Sequence, residues 1–467
     1  MIETAVATVV DRAAHARVLP RDPEPRERRC IIVAPFFPPS GLPPSHRARL
    51  FARHLGAFGW TPVVVTVDPR DREEPQEAPL EATVPGTVRV EKVRALRASL
   101  TRRFGIGDLA LRALPALATR VIHVARERTG SVVLLVVPPW YVLWLAPLIR
   151  RFGNSHIVVD YVDPWRIGGR SIKSRLAAWV AARTEGFSIR RVAGVFAVSD
   201  GVLTDVRTRF PWLQHVASGW AAYGFEPSDL GLVGAGDSAG ESPSRTRSAG
   251  DAQSCRLVYV GALSDSQLPV LEALLDAIAE LRQQLPALAQ RLRLELYGTT
   301  YAAPQLARAR ATELVTARGL EALVHEQPQR VPYTDALALA RQADANLVLG
   351  DLTTYYAASK LMPLLAARRP ILALLHAGTE PATALSRLGA KGLVCYGTPM
   401  CPSPRAAVSA VVQALRALLD RQIRPVTPDF ASDPVFRERT AERMTAALAA
   451  LLDRVGESSA GAGICVA

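Results

Sequence analysis

The segment that decides the fold is IIVAPFFPPSGLPPSHRARLFARHLGAFGWTPVVVTVDP, residues 31–69. Residues 30–35, CIIVAP, form a short unbroken apolar run, the pattern of a parallel strand buried on both faces. Leu50, Phe51, His54, Leu55 and Phe58 then recur at helical spacing, Gly59 closes the helix, and residues 63–67 make the next strand. Strand, helix and strand in so short a span predict a βαβ unit, whose crossover is right-handed.

The alternation continues outward. Residues 132–137, 157–161 and 194–198 are strand-like, the last running into a Ser199-Asp200 helix start, and residues 100–127 read as helical. A second series begins at Cys255. Residues 256–261 form a strand ending in glycine, and Leu268, Leu271, Leu274, Leu275, Ile278 and Leu281 share one helical face. Residues 292–297, 323–326, 345–349, 371–375 and 393–396 add five strands with helices between, and a helix over about 434–452 closes the series.

Two doubly wound α/β units therefore account for most of the chain. The expected division is a disordered extension over 1–29, an N-terminal Rossmann-like domain over 30–215 and a connection over 216–254. A C-terminal Rossmann-like domain over 255–430, a closing helix over 431–455 and a flexible tail over 456–467 complete it. The connection contains GAGDSAGESPSRTRSAGDAQS, residues 234–254, too poor in apolar residues to pack.

At 467 residues the chain exceeds one ordinary core, and 49% hydrophobic with 21% charged residues fits a core-forming globular protein. A net charge of +13 favours anionic partners such as phosphates or acidic lipid surfaces. Nucleic acid is not expected, because the arginines are scattered and no aromatic-interleaved basic stripe or zinc-finger spacing occurs. Five cysteines, odd in number and widely spread, fit a reducing compartment. Residues 1–29 lack the apolar region of a signal peptide, and the longest apolar stretches are too short to cross a bilayer. A cytoplasmic location, peripheral to the inner membrane face, is the expectation. Lys92, Arg94, Arg97, Arg102, Arg103 and Arg112 among Leu96, Leu100, Phe104 and Leu111 read either as an interfacial helix on an anionic bilayer or as a solvated basic face.

Three segments carry a resemblance. Residues 31–69, residues 330–350 (RVPYTDALALARQADANLVLG) and residues 355–374 (YYAASKLMPLLAARRPILAL) together resemble the family-4 (group 1) glycosyltransferases of GT-B fold, in order along both halves. The resemblance implies two Rossmann-like domains facing across a cleft, a nucleotide-sugar donor held by the second, and an acceptor held by the first. It implies transfer of a sugar to an acceptor hydroxyl with retention of anomeric configuration. Neither a metal nor a cofactor beyond the nucleotide-sugar co-substrate is expected. The acceptor would be a glycan, a lipid-linked molecule or a small molecule, in cell-surface polysaccharide or secondary-metabolite chemistry.

Ligands of open α/β sheets sit beyond the carboxyl ends of the strands, where helix N-termini offer N–H groups. Gly41, Ser45, His46 and Arg47 lie on such a loop and helix start. By resemblance Arg47 faces the cleft; His46 is a candidate proton shuttle or a solvated capping residue. Asp163, in Asp160-Tyr-Val-Asp-Pro-Trp165, either positions an acceptor hydroxyl or starts an ordinary turn. Ser359 is expected to cap the donor helix and Lys360 to reach the diphosphate, with Gly261, Arg330 and Tyr356 completing the donor side.

The departures are specific. Pro363 stands where the family carries a ribose-binding glutamate, and after Gly261 the sequence lacks the Arg/Lys pair of many relatives. Proline fits there only within the first helical turn. These departures keep two alternatives open: a catalytically weakened GT-B protein that binds a sugar nucleotide or a partner without turnover, and a nucleotide-sugar epimerase.

Overall fold

The computed structural model describes residues 28–165, 172–232, 254–300 and 307–461. The expected N-terminal extension up to residue 27, the Gly/Ser-rich segment over 233–253 and the tail beyond 461 lie outside the described residues.

Two parallel sheets organise the chain. The first contains β1 (Arg28–Val33), β2 (Trp60–Val67), β3 (Arg89–Val93), β4 (Val132–Val137), β5 (His156–Tyr161), β6 (Gly194–Ala197) and β7 (Ala217–Trp220), in the order β3-β2-β1-β4-β5-β6-β7. The second contains β8 (Cys255–Val260), β9 (Leu292–Tyr297), β10 (Val324–Gln327), β11 (Ala345–Leu349), β12 (Ile371–His376) and β13 (Leu393–Tyr396), in the order β10-β9-β8-β11-β12-β13. Strand order reverses between β1 and β4 in the first and between β8 and β11 in the second, which opens a crevice at each point.

Side-chain alternation explains why both faces of β1 are apolar. Ile31 and Val33 enter a core under the Leu109–Arg126 and Leu145–Phe152 helices, while Cys30 and Ile32 enter a core on the opposite face. Ile31 lies between Val63 of β2 and Val133 of β4. Ile31, Ile32 and Val33 are each fully buried, worth about 1.5–3 kcal/mol apiece as an upper bound. The second sheet is covered likewise, with Leu257 and Tyr259 in one core and Val258 and Val260 in another.

The Pro43–His54 helix starts on two prolines, whose fixed φ suits the first turn. Gly59, at φ 74°, ends the following 3₁₀ turn where a side chain would be strained. The expected helix over 100–127 divides, because Gly105 turns the chain at φ 75° and Asp108 caps a new helix at Leu109 through the Leu111 N–H. The expected closing helix divides too, into Pro434–Arg437 and Ala441–Gly461. The latter crosses back to the first lobe, where Met444, Leu448, Leu451, Leu452 and Val455 pack with Ile32, Phe51 and Phe196. Among the described residues no helix is long and apolar enough to cross a membrane.

Candidate functional site

The cleft between the lobes holds a cavity of about 510 Å³, within the range of small-molecule sites. The first lobe contributes Gly41, His46 and Arg49 from the β1 loop and helix, and Asp163 from the end of β5. The second contributes Gly261 after β8, Gly298 after β9, Arg330 and Tyr333 after β10, and Asp351 after β11, followed by Tyr356, Ser359 and Lys360. These are carboxyl ends of strands at the two reversal points, where sheet topology predicts a ligand.

Lys360 is the focus of the second lobe's side of the cleft. Its ammonium donates to the Val260 carbonyl at 2.6 Å, and a Cβ at Gly261 would lie 2.8 Å from the Nζ, so only glycine leaves the lysine its place. Lys360 opens onto the cleft yet is enclosed by the two lobes. Loss of bulk water, then the Arg330 guanidinium, lowers it to about 7. Arg330 donates across the cleft to the Gly41 carbonyl.

Ser359 lines the cleft but does not cap the helix. The N-cap position of Leu361–Ala366 is Lys360 itself, without a side-chain cap, which corrects the capping expectation. Pro363 is the third residue of that helix, in the first turn where its missing N–H costs no helical bond. Tyr356 lines the cavity and packs on the core around Leu361 and Phe225.

On the first lobe, Asp163 opens onto the cleft but is surrounded by protein. That enclosure, followed by the Asp351 carboxylate, pushes its carboxyl up to about 7. The Trp140 indole N–H donates to the Asp163 carbonyl at 3.4 Å. Asp351 is held by Thr353, whose N–H and hydroxyl donate to Oδ1 at 2.8 and 2.6 Å.

His46 reaches the cavity with both ring nitrogens engaged. Arg49 Nε donates to Nδ1 at 3.2 Å, and the other nitrogen meets the Gly41 carbonyl. Burial, then Arg49, Arg330 and Lys360, hold its pKa well below the usual histidine value, so the ring is neutral, and it lies 4.4 Å from the Tyr333 ring at a tilt of 49°. His46 therefore reaches the cavity as a neutral ring whose Nδ1 is occupied by Arg49.

Arg47 corrects an expectation outright. It does not face the cleft: its side chain is fully buried against Asp160, with Nε donating to the carboxylate at 2.8 and 3.1 Å. Nη1 donates to the Ala221 carbonyl and Nη2 to that of Ala197, at 3.0 and 3.2 Å, while Phe51 and Phe196 flank the guanidinium. A helix turns successive residues by about 100°, so Arg47 points inward where His46 points to the cleft. Ser45 is buried beside it, its hydroxyl without a hydrogen-bond partner.

Several cleft residues escaped the sequence reading. Glu77 accepts from the Tyr333 N–H at 2.6 Å, the Tyr333 hydroxyl donates to Asp229 at 3.2 Å, and Asp229 pairs with Arg49. Residue 77 lies in a Pro/Glu-rich stretch without periodicity, so nothing local marks it. Asp351 was findable as the acidic residue two past a buried strand end. Among the described residues no group of three or more His, Cys, Asp or Glu is arranged to hold a metal ion.

No protein-family model and no characterised protein matches the sequence. Solved structures do match the fold. Trehalose-6-phosphate synthase from Burkholderia multivorans aligns with TM-score 0.59 at 12% identity, covering 94% of this chain and 99% of its own. The Escherichia coli enzyme bound with UDP-2-fluoro glucose aligns with TM-score 0.55 at 12% identity, covering 91% and 99%. Anabaena HepE in complex with UDP and glucose aligns with TM-score 0.51 at 15% identity, covering 94% and 100%. The chain has the GT-B fold: two Rossmann-like parallel-sheet domains facing across a cleft.

Proposed function

We propose that this chain is a glycosyltransferase that moves a sugar from a nucleoside-diphosphate donor to an acceptor hydroxyl. The observation that carries the reading is the convergence of Lys360 and Arg330 at the Gly261 turn. Among the described residues the one charge acting on Lys360 is that second cation. Two cations lining one cleft, with no carboxylate for Lys360, repel one another, and a diphosphate relieves that repulsion. The apolar wall of Val331, Leu337, Ala340 and Leu347 beside them suits a nucleoside base. The solved structures of like fold bound to UDP, glucose or a UDP sugar support the same class of donor.

In this reading the bond from the anomeric carbon to the diphosphate oxygen breaks as the bond to the acceptor oxygen forms. Lys360 and Arg330 stabilise the departing diphosphate. Asp163, with a carboxyl near 7, orients the acceptor hydroxyl, whose proton leaves to the carboxylate or to the departing phosphate. Enclosure between the lobes excludes water from the reacting carbon. Retention of configuration, independence of a metal and a cell-surface glycan or secondary metabolite as product belong to the same proposal.

Pro363 favours a second reading, a protein that binds the nucleotide sugar without turnover, because the proline side chain offers no acceptor to a ribose hydroxyl. Thermal shift with a panel of nucleotide sugars, followed by nucleoside-diphosphate release with and without acceptors, separates the two. Stabilisation with acceptor-dependent release supports the transferase. Stabilisation without release supports the binding protein. A panel in which no nucleotide sugar stabilises the chain defeats both.

A further inference from the structure

The rim of the first lobe carries an apolar and basic surface that the sugar-transfer reading does not use. Between β3 and the Leu109–Arg126 helix the chain exposes Leu96 (57%), Leu100 (55%), Phe104 (78%) and Ile106 (38%) within eleven residues. The backbone beneath them is tied down. Leu96 N–H donates to the Arg112 carbonyl at 3.1 Å, buried Arg112 returns a bond to the Leu96 carbonyl at 2.8 Å, and Ile106 N–H donates to Thr101 at 3.1 Å. Large apolar side chains held outward on a fixed loop mark an interaction site rather than packing noise.

The charges around them identify the partner. Arg94 pairs with Asp71 and Arg102 with Glu73, whereas exposed Arg97 and Arg103 have no ion-pair partner among the described residues. Apolar side chains interleaved with unneutralised arginines complement an anionic lipid leaflet, which takes the former into its acyl boundary and the latter at its phosphates. The loop leaves β3 at the strand's carboxyl end, the edge on which the cleft opens. Asp108, at the end of the loop, acts electrostatically on Tyr141, which packs 5.0 Å from Trp165, two residues beyond Asp163.

We infer that residues 96–106 dock this lobe on an anionic bilayer, with the cleft edge towards the leaflet. The surface itself is independent of the chemistry. The corollary, a lipid-borne acceptor, rests on the glycosyltransferase reading.

Co-sedimentation of the full chain with vesicles tests it, using phosphatidylcholine alone or mixed with phosphatidylglycerol, at low and high salt. The expected result is binding to the anionic vesicles that falls with salt and drops about tenfold or more in Leu100→Ser/Phe104→Ser and in Arg97→Ser/Arg103→Ser. Unchanged melting temperature and UDP affinity in those variants would show that fold and donor site are intact. Failure to bind anionic vesicles, or equal binding by the variants, overturns the inference. So does transfer of the effect to Trp179→Ser/Phe187→Ser on the exposed flank of Ile172–Ile189, or a concentration-dependent dimer lost in the loop variants, which would make a second copy the partner. Vesicle binding requires no sugar transfer, so it can fail or succeed apart from the enzymatic reading.

Discussion

The carboxylate of Glu77, carried by the first lobe, accepts a hydrogen bond from the backbone N–H of Tyr333 at 2.6 Å and so caps the Tyr333–Gln342 helix of the second. That helix supplies no side-chain cap of its own at Pro332, so its positive end is served across the cleft. Glu77 also packs on Gly41, where a Cβ would fall inside the carboxylate, and the Gly41 carbonyl receives Arg330. The lobes are thereby latched beside Arg330.

Removing the latch opens the molecule. Glu77→Ala is expected to cost about 1.5–3 kcal/mol of closure, the worth of a charge-assisted bond, and Gly41→Ala to act alike by displacing the carboxylate. A larger radius of gyration in small-angle scattering and weaker UDP binding check it, with Glu77→Gln, which keeps an acceptor oxygen, intermediate. Unchanged scattering in Glu77→Ala would show that the cap does not hold the lobes.

Donor binding should depend on pH through Lys360. Free, it titrates at about 7; a bound diphosphate favours the ammonium and raises that value. Above pH 7 binding must then take up a proton, so UDP affinity falls by up to about tenfold per pH unit as pH rises. Calorimetry in buffers of different ionisation enthalpy reads the uptake. Lys360→Arg keeps its charge and should flatten the slope, whereas Lys360→Met should weaken binding at every pH.

Asp163 couples pH to folding stability. Its folded pKa is raised above the ordinary carboxylate value to about 7, so folding stability falls as pH rises from about 4 to 7 and stays reduced above it. Asp163→Asn should melt on the order of 1 °C higher than the parent at pH 8 and equally at low pH, while transfer falls. A variant less stable at pH 8 would show that a neighbouring group compensates the carboxylate.

The buried Arg47–Asp160 pair is a matter of folding. Arg47→Ala leaves an uncompensated carboxylate in the core and should cost about 3–5 kcal/mol in urea unfolding. Arg47→Met/Asp160→Leu should recover much of that loss. Equal losses in the single and double variants would refute the coupling.

The two-lobed architecture was legible because buried parallel strands write themselves as contiguous apolar runs, and residues 31–33, 132–137 and 345–349 are such runs. Strands β3 and β7 were missed for the complementary reason: RVEKV and ASGW are half-open edge strands without an apolar run. The place of Lys360 and Gly261 on the cleft was legible from strand-end and helix-start chemistry. Arg47 was misplaced because a motif gives position along a helix, whereas burial depends on which face turns inward. Glu77, Tyr333 and Asp229 meet only through the tertiary approach of distant segments, which local pattern does not encode.

The return of the Ala441–Gly461 helix to the first lobe has a consequence for biosynthesis. β1 is made well before Met444, Leu448, Leu451 and Leu452, which cover one face of its sheet. Until then Ile32, Phe51 and Phe196 lack part of their cover, so the nascent first lobe carries an open apolar face until that helix is made. Holdase chaperones acting on the growing chain would find their substrate there, and release from them would await the Ala441–Gly461 helix.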